Sequence, residues 1–264
     1  MRDFEDKVVL VTGGATGLGA ALAVGAATRG ARAVIINYSK SAAEAQATAE
    51  AVRVAGSEAV LAQGDVSKDE DCRAIAEAAA PYGRIDALAN NAGITKFAQN
   101  HGDLSALTAD DFQRLYAVNV VGPFQMLRAA RALLEASGRG AVLMVSSIAG
   151  VTGIGSSIAY AASKGALNTM TLSLARAMGP KIRVNALCPG FIDTRWHQEG
   201  FTPEGIEKMR EAAKKLTPLQ AASLPEDIAD AGLFFLSDAS RHVTGETLLV
   251  DAGMHLGYAS FAQR

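Results

Sequence analysis

Two serines, a tyrosine and a lysine stand where their chemistry can combine: Ser146-Ser147 close an apolar run, and Tyr160 and Lys164 follow in the next stretch. The run Ala141-Val142-Leu143-Met144-Val145 reads as a buried strand. A helix starting near Ser157 carries Tyr160 and Lys164, and residues four apart share a helix face with Cβ atoms about 5–6 Å apart. Phenol and ammonium are therefore neighbours, and the strand end brings a hydroxyl to meet them. A free tyrosine ionises near pH ~10, and a nearby cation favours the phenolate. Bringing that pKa to about 7 requires roughly 4 kcal/mol. One close ammonium in a partly dry site supplies much of it. The expected chemistry is general acid–base catalysis. Tyr-x-x-x-Lys alone is common by chance, so the rest of the chain has to support it.

The elements that must position this trio alternate regularly. Strands are expected at Lys7–Thr12, Ala31–Tyr38, Glu58–Gln63, Ile85–Asn90, Ala141–Val145, Ile182–Cys188 and Glu246–Val250. The continuous apolar run Ala33-Val-Ile-Ile36 suits a parallel strand covered on both faces. Helices fill the intervals: an alanine-rich segment ending near Arg29-Gly30, then Ser41–Gly56, with Ser41 a plausible N-cap and Gly56 the stop. Lys68–Tyr82 follows. After a long loop from Ala92 to about Thr108, Thr108-Ala-Asp-Asp111 opens a helix that is broken or re-aimed at Gly122-Pro123 and ends near Ser137-Gly138. The Tyr160 helix closes at Gly179-Pro180, and Pro225–Leu236 forms a further helix. The fold class is α/β: residues 1–264 form one doubly wound, Rossmann-like domain with a seven-stranded parallel sheet flanked by helices. Residues 191–217 interrupt the alternation just after a strand's C-terminal end, where ligands bind in such sheets, and are the candidate substrate lid.

Composition narrows the function. A net charge of −2 over 264 residues, with basic residues scattered, argues against nucleic-acid or anionic-membrane partners. The charged N-terminus lacks the apolar core of a secretory signal, and no apolar run is long enough to span a bilayer. Cys72 and Cys188 are expected as buried thiols, and the four histidines are too dispersed for a metal site. A cytoplasmic location is the resulting expectation.

Several small motifs lie at strand ends. Gly13-x-x-x-Gly17-x-Gly19, preceded by Thr12, has glycines that let a backbone turn tightly and approach a pyrophosphate, with a helix N-terminus behind it. The alternative is a plain turn before a helix. Asn90-Asn-Ala-Gly93 reads either as an ordinary turn or as a small-residue floor for a ribose. Asp65 suits a helix cap or an adenine contact. Asn119, within the apolar run Tyr116-Ala-Val-Asn-Val-Val121, either pins its helix or handles a water near the site.

The Thr-Gly-x-x-x-Gly-x-Gly turn, Asn-Asn-Ala-Gly, Asn119, the Ser147-to-Tyr160 spacing, Tyr-x-x-x-Lys and Pro189-Gly190 occur in order, and together they resemble the short-chain dehydrogenase/reductase family over essentially the whole chain. That resemblance implies four catalytic residues. Tyr160 exchanges the proton with the substrate oxygen, Lys164 lowers its pKa and holds the nicotinamide ribose, Ser147 hydrogen-bonds the carbonyl, and Asn119 holds a relay water. It also implies a cofactor site. Gly13, Thr16, Gly17, Leu18 and Gly19 border phosphates and ribose; Asp65 and Val66 meet the adenine; Asn91, Ala92 and Gly93 line the adenosine side; Pro189, Gly190, Ile192 and Thr194 embrace the nicotinamide.

Where NAD-dependent members usually carry an acidic residue, this chain has Asn37-Tyr38-Ser39-Lys40. Tyr38, Ser39 and Lys40 therefore join the cofactor set, and NADP(H) is favoured over NAD(H), although Thr16 stands where many NADP-dependent relatives have a basic residue. The alternative reading of Lys40 is a solvated loop lysine. The implied partner is a small carbonyl or secondary-alcohol substrate: a 3-oxoacyl thioester to reduce, or a sugar or other alcohol to oxidise. A homotetramer through helices near 110–136 and 157–178 is expected by resemblance. The Gln99–Asp103 loop suits a pocket edge or an interface. Trp196 is read as a substrate contact or a lid anchor, and His197 as structural. The rival function is a non-catalytic nucleotide-binding sensor or scaffold on the same fold.

Overall fold

A computed structural model of the protein describes residues 3–98 and 100–256. Of the single-domain reading of 1–264, residues 1–2, Gln99 and 257–264 lie outside what is described. Seven strands form one all-parallel sheet in the order β3-β2-β1-β4-β5-β6-β7. They are β1 (Val8–Val11), β2 (Ala33–Tyr38), β3 (Glu58–Gln63), β4 (Ala87–Asn90), β5 (Gly140–Val145), β6 (Ile182–Pro189) and β7 (Thr247–Val250). The order reverses between β3 and β4, so the C-terminal ends of β1 and β4 flank the crevice where doubly wound sheets bind ligands.

Strand side chains alternate between two apolar layers, as the period of two requires. Val9, Val11, Val34, Ile36, Leu143 and Val145 enter one layer with α1 (Gly17–Thr28) and α9 (Pro225–Leu236). Val8, Leu10, Ile35, Val142 and Met144 enter the other with α3 (Asp69–Glu77), α5 (Gly122–Ala136) and α7 (Ile158–Met178). Helix α2 (Ala42–Val54) follows β2, and its Ala49 and Val52 belong to the first layer. The alanine and glycine content of α1 has a packing cause. A Cβ on Gly25 would lie 2.6 Å from a Leu233 methyl, and one on Gly232 would lie 2.9 Å from a Leu22 methyl. Helices α1 and α9 thus interlock at two bare backbones.

Three expectations need correction. Ser41 precedes α2 but its side chain makes no capping bond; its hydroxyl accepts from Arg195 instead. Asp65 does not cap α3: its carboxylate accepts from the N–H and hydroxyl of Ser67, closing a tight turn. The long helix is also not broken at Gly122-Pro123. Helix α4 (Ala109–Tyr116) runs through a π-helical turn, Ala117–Val121, directly into α5. Pro123 has no N–H to give the carbonyl four residues back, that of Asn119. The widened turn accommodates that missing bond, and such π turns recur at functional sites. The helices on which the tetramer expectation rests leave Phe112, Val121, Phe124 and Leu172 exposed.

Candidate active site

Strand β5 delivers Ser146 and Ser147 to the sheet's C-terminal edge, and α7 returns beside it carrying Tyr160 and Lys164. Ser157 caps α7 by accepting from the Tyr160 N–H at 3.1 Å, which fixes the first turn. Lys164 is tied to β5 at both ends: its carbonyl accepts from Ser146 Oγ (3.1 Å) and its Nζ donates to the Val145 carbonyl (2.9 Å). The Ser147 side chain stands close to the Tyr160 phenol and acts to lower its pKa. The short helix α6 (Ala149–Thr152), absent from the sequence reading, begins where the Ala149 N–H donates to Ser147 Oγ at 3.1 Å. Asn119 is buried in the π turn, where its amide donates to the Ile94 carbonyl (3.0 Å) and Ser163 Oγ (3.1 Å) and accepts from the Ile94 N–H (2.9 Å). Both amide donors are therefore used in pinning the turn. Ser163 in turn donates to the Tyr160 carbonyl at 2.7 Å.

The electrostatics differ from the expected lowered tyrosine. Burial pushes the Tyr160 phenol up to about 12, against the opposing hydrogen bond from Ser147. The Lys164 ammonium is held by a carbonyl and lies 5.6 Å from the phenol ring centroid. Burial pulls Lys164 itself down to about 8. Desolvation dominates, so the phenol keeps its proton at neutral pH. A stability test follows. Below about pH 8 both folded and unfolded states hold the Lys164 proton, and the folded state bears the desolvation cost; between about 8 and 10.5 the unfolded chain binds more protons, so stability rises with pH. Tyr160 acts oppositely above pH 10, where only the unfolded phenol ionises. Denaturant titrations of wild type and Lys164→Met across this range should differ by a component of about 3 kcal/mol. Parallel pH profiles for the two proteins would refute the assigned shift.

The glycine turn joins β1 to α1. Gly13 adopts φ +60°, a conformation that favours glycine. Its N–H donates to Asn37 Oδ1 at 3.2 Å, while Asn91 Nδ2 donates to the carbonyls of Thr12 and Gly13, each at 3.0 Å. Thr12 Oγ1 accepts from the N–H groups of Asn91 and Ala92. Asn91 therefore clamps the turn to the end of β4, a role neither reading of Asn-Asn-Ala-Gly anticipated. Asn37, noted only as standing where others carry an acid, also donates to the carbonyls of Ala62 and Gly64 and ties the turn to β3. A buried polar residue at the end of an apolar strand was the available signal. Thr16 occupies the N-cap of α1 without a side-chain capping bond, so the helix's first donors face the crevice uncapped.

The remaining residues fall along the same edge. Leu18 and Val66 are buried in the core, which leaves their backbones to the crevice. Ser39 and Lys40 are exposed beyond β2, and Tyr38 is half-buried. A Cβ on Gly93 would meet Asn119 Oδ1 at 3.4 Å and Lys164 Nζ at 3.6 Å, so this bare backbone lies against Asn119 and Lys164. Pro189 accepts from the Ile148 N–H at 2.9 Å, and Gly190 is forced by Asp251, whose Cβ a side chain would meet at 2.6 Å. The 94–101 loop is laced to the segment before Tyr160: the Ala98 N–H donates to Ser156, and His101 Nε2 contacts the Gly155 carbonyl at 3.0 Å.

Residues 191–217 form a single-turn 3₁₀ helix at Arg195–Glu199 and α8 (Pro203–Leu216). Arg210 grips Asp193 through two bonds of 2.6 and 3.0 Å. His197 is a packing residue, stacked on Phe191 at 5.0 Å with Nε2 against the Ile192 carbonyl, and burial lowers its pKa. Thr194 accepts from the Trp196 N–H and reaches over Gly17, its methyl 3.5 Å from where a Cβ would stand. The Trp196 indole, 37% exposed, sits 6.3 Å from the Tyr160 ring.

A doubly wound sheet with Ser147, Tyr160 and Lys164 together and an uncapped helix start at its switch point suits a dinucleotide-dependent enzyme. The profile of a family described as enoyl-(acyl carrier protein) reductase matches residues 13–255. A Streptomyces violaceoruber protein assigned to ketoacyl reduction in the granaticin polyketide synthase is 40% identical over 255 residues, covering 96% of this chain and 97% of its own. An L-rhamnose 1-dehydrogenase (NAD(P)+) of a Sphingomonas species is 35% identical over 97% of this chain and 99% of its own. A crystal structure assigned to the short-chain dehydrogenases/reductases, from Burkholderia xenovorans, superposes with a TM-score of 0.87 at 39% identity, covering 95% of this chain and 98% of that one. The chain belongs to the short-chain dehydrogenase/reductase family and is an oxidoreductase working with a nicotinamide cofactor. Among the described residues, no helix is long and apolar enough to cross a membrane, and no cluster could hold a metal ion.

Proposed function

We propose that the protein is an NADPH-dependent ketone reductase with Tyr160 as its general acid. The observation that carries this reading is the Ser147–Tyr160–Lys164 corner, in which a buried, protonated phenol stands close to Ser147 and the Lys164 ammonium lies 5.6 Å from its ring. A phenol that keeps its proton is poised to give it to a carbonyl oxygen, the step that reduction needs. Residue chemistry fits the cofactor: the uncapped start of α1 suits a pyrophosphate, Gly13 makes the left-handed turn before it, and no carboxylate follows β2 until Glu44. The bound cofactor supplies the hydride.

The chain's own groups do the rest. Gly13, Thr16, Gly17, Leu18 and Gly19 border the phosphates, largely through main chain. Tyr38, Ser39 and Lys40 receive the 2′-phosphate, Asp65 and Val66 the adenine, and Asn91, Ala92 and Gly93 the adenosine side. Pro189, Gly190, Ile192 and Thr194 hold the nicotinamide end. Ser147 donates to the carbonyl oxygen and Tyr160 protonates it as charge develops there. Lys164 binds ribose hydroxyls and holds positive charge behind the phenol. Asn119 holds a relay water; with both donors of its amide committed, it offers that water an acceptor.

The substrate is a ketone borne on an apolar body. Trp196 faces the Tyr160 ring, and Ile154, 76% exposed, lies beside Gly155, whose Cβ position is 3.4 Å from that ring. An apolar rim suits a 3-oxoacyl or cyclic ketone better than a sugar, and a relative assigned to ketoacyl reduction supports it. Residues 191–217 act as the lid over this mouth. The test follows NADPH consumption with a 3-oxoacyl thioester, a bicyclic aromatic ketone and an aldose. Turnover of the apolar ketones is expected; NAD-driven oxidation of sugars alone would overturn the reading.

A further inference from the structure

The β2–α2 junction receives a positive group from across the crevice. Arg195 Nη2 donates to Ser41 Oγ at 3.0 Å, and Nη1 lies 2.5 Å from Glu44 Oε1. The partners are separated by 154 and 151 residues. Ser41 and Glu44 begin α2 immediately after Ser39 and Lys40. On the other side, Arg195 follows Thr194, whose methyl covers Gly17. The connection therefore runs from the end of β6 over the glycine turn to the end of β2.

We propose that Arg195 is a specificity residue for the cofactor's 2′-phosphate, supplying from the lid the basic group that Thr16 does not. This rests on the NADP(H) reading above. In dinucleotide-binding sheets the group near the end of β2 decides the cofactor: a carboxylate accepts the ribose hydroxyls, whereas an arginine accommodates the phosphate. Here the first carboxylate after β2 is Glu44, and its charge is already matched by Arg195. A guanidinium presents two parallel N–H groups to a phosphate and binds it more strongly than a neutral donor does. The phosphate carries more charge than one carboxylate, so it displaces Glu44 as the partner of Arg195, while Ser41, Ser39 and Lys40 surround the remaining oxygens. Exchange is cheap because both side chains are half-exposed, at 45% and 43%, and such surface pairs contribute little. The same exchange ties residues 194–199, including Trp196 at the substrate mouth, to the phosphate of the bound cofactor.

The experiment is a binding measurement on the purified protein. NADPH and NADH are titrated by nicotinamide fluorescence, and adenosine 2′,5′-bisphosphate and 5′-AMP by calorimetry, into wild type, Arg195→Ala and Glu44→Gln. Arg195→Ala should weaken NADPH and the bisphosphate by about tenfold or more, as loss of a charge-assisted bond requires, with NADH and AMP changed less than about twofold. Glu44→Gln should tighten the two phosphorylated ligands a few-fold. Unchanged melting temperatures would exclude misfolding of these surface variants. Equal weakening of all four ligands by Arg195→Ala, or an unchanged NADPH/NADH ratio in a wild type that prefers NADPH, would overturn the assignment. A wild type without NADPH preference would instead bring down the NADP(H) reading on which it stands.

Discussion

Tyr160→Phe should lower ketone turnover by about 10²–10⁴-fold, the usual contribution of a positioned general acid. The ring stays, so its packing against Trp196 and under Gly155 stays too. What is lost is one proton, and no neighbour replaces it. Lys164 Nζ is anchored on the Val145 carbonyl at 2.9 Å, which fixes the ammonium against the end of β5. Ser147 has an alcohol proton far harder to lose and already accepts from the Ala149 N–H. Cofactor affinity, measured by the same fluorescence titration, should shift less than about threefold because the phenol adds little to binding a dinucleotide held elsewhere. Turnover within tenfold of wild type would remove Tyr160 from the acid's role. Intact cofactor binding with no turnover of any carbonyl by the wild type would instead favour the sensor or scaffold.

The sequence was most legible where local pattern and global fold agree. Each of the seven strands lies within two residues of its expected ends because β-branched runs bounded by glycine, asparagine or charge allow little else. Tyr160 and Lys164 share a face because a helix imposes it, and that helix begins where expected, with Ser157 as its cap. What escaped reading depended on partners distant in the chain. Asn37 and Asn91 looked like a strand-end oddity and a turn, yet both are clamps whose acceptors come from β1, β3 or the glycine turn. The Arg195–Glu44 pair joins two surface charges with no pattern relating them. The tyrosine's pKa was misjudged because spacing reports proximity but not desolvation. A lysine near enough to help is itself buried and bound to a carbonyl, and burial acts on both groups at once.

Gly19→Ala should be more damaging than Gly17→Ala, although the glycine motif treats them alike. Gly17 holds φ +54°, so alanine there bears a left-handed backbone costing roughly 1–2 kcal/mol, but its Cβ meets only the Thr194 methyl, at 3.5 Å. At Gly19 the backbone is ordinary and the space is gone: a Cβ would stand 2.2 Å from the Gly13 carbonyl oxygen and 2.5 Å from Asn91 Nδ2. Neither neighbour can yield alone. That oxygen accepts the Asn91 bond, and Gly13 is itself confined, its own Cβ position lying 2.9 Å from the Ala92 Cα. Relief therefore means sliding α1 off the turn, against the interlock of Gly25 with Leu233. Gly19→Ala is expected to lose about 3 kcal/mol or more in denaturant unfolding, at or above the upper end for overpacking, and to weaken NADPH by at least about tenfold. Gly17→Ala should unfold within about 2 kcal/mol of wild type. Equal stability of the two variants would mean that the turn is looser than its hydrogen bonds imply. The expected order gives Gly19 a role that precedes any cofactor: it lets α1 begin directly against Gly13, and that crossing aims the helix's uncapped donors into the crevice.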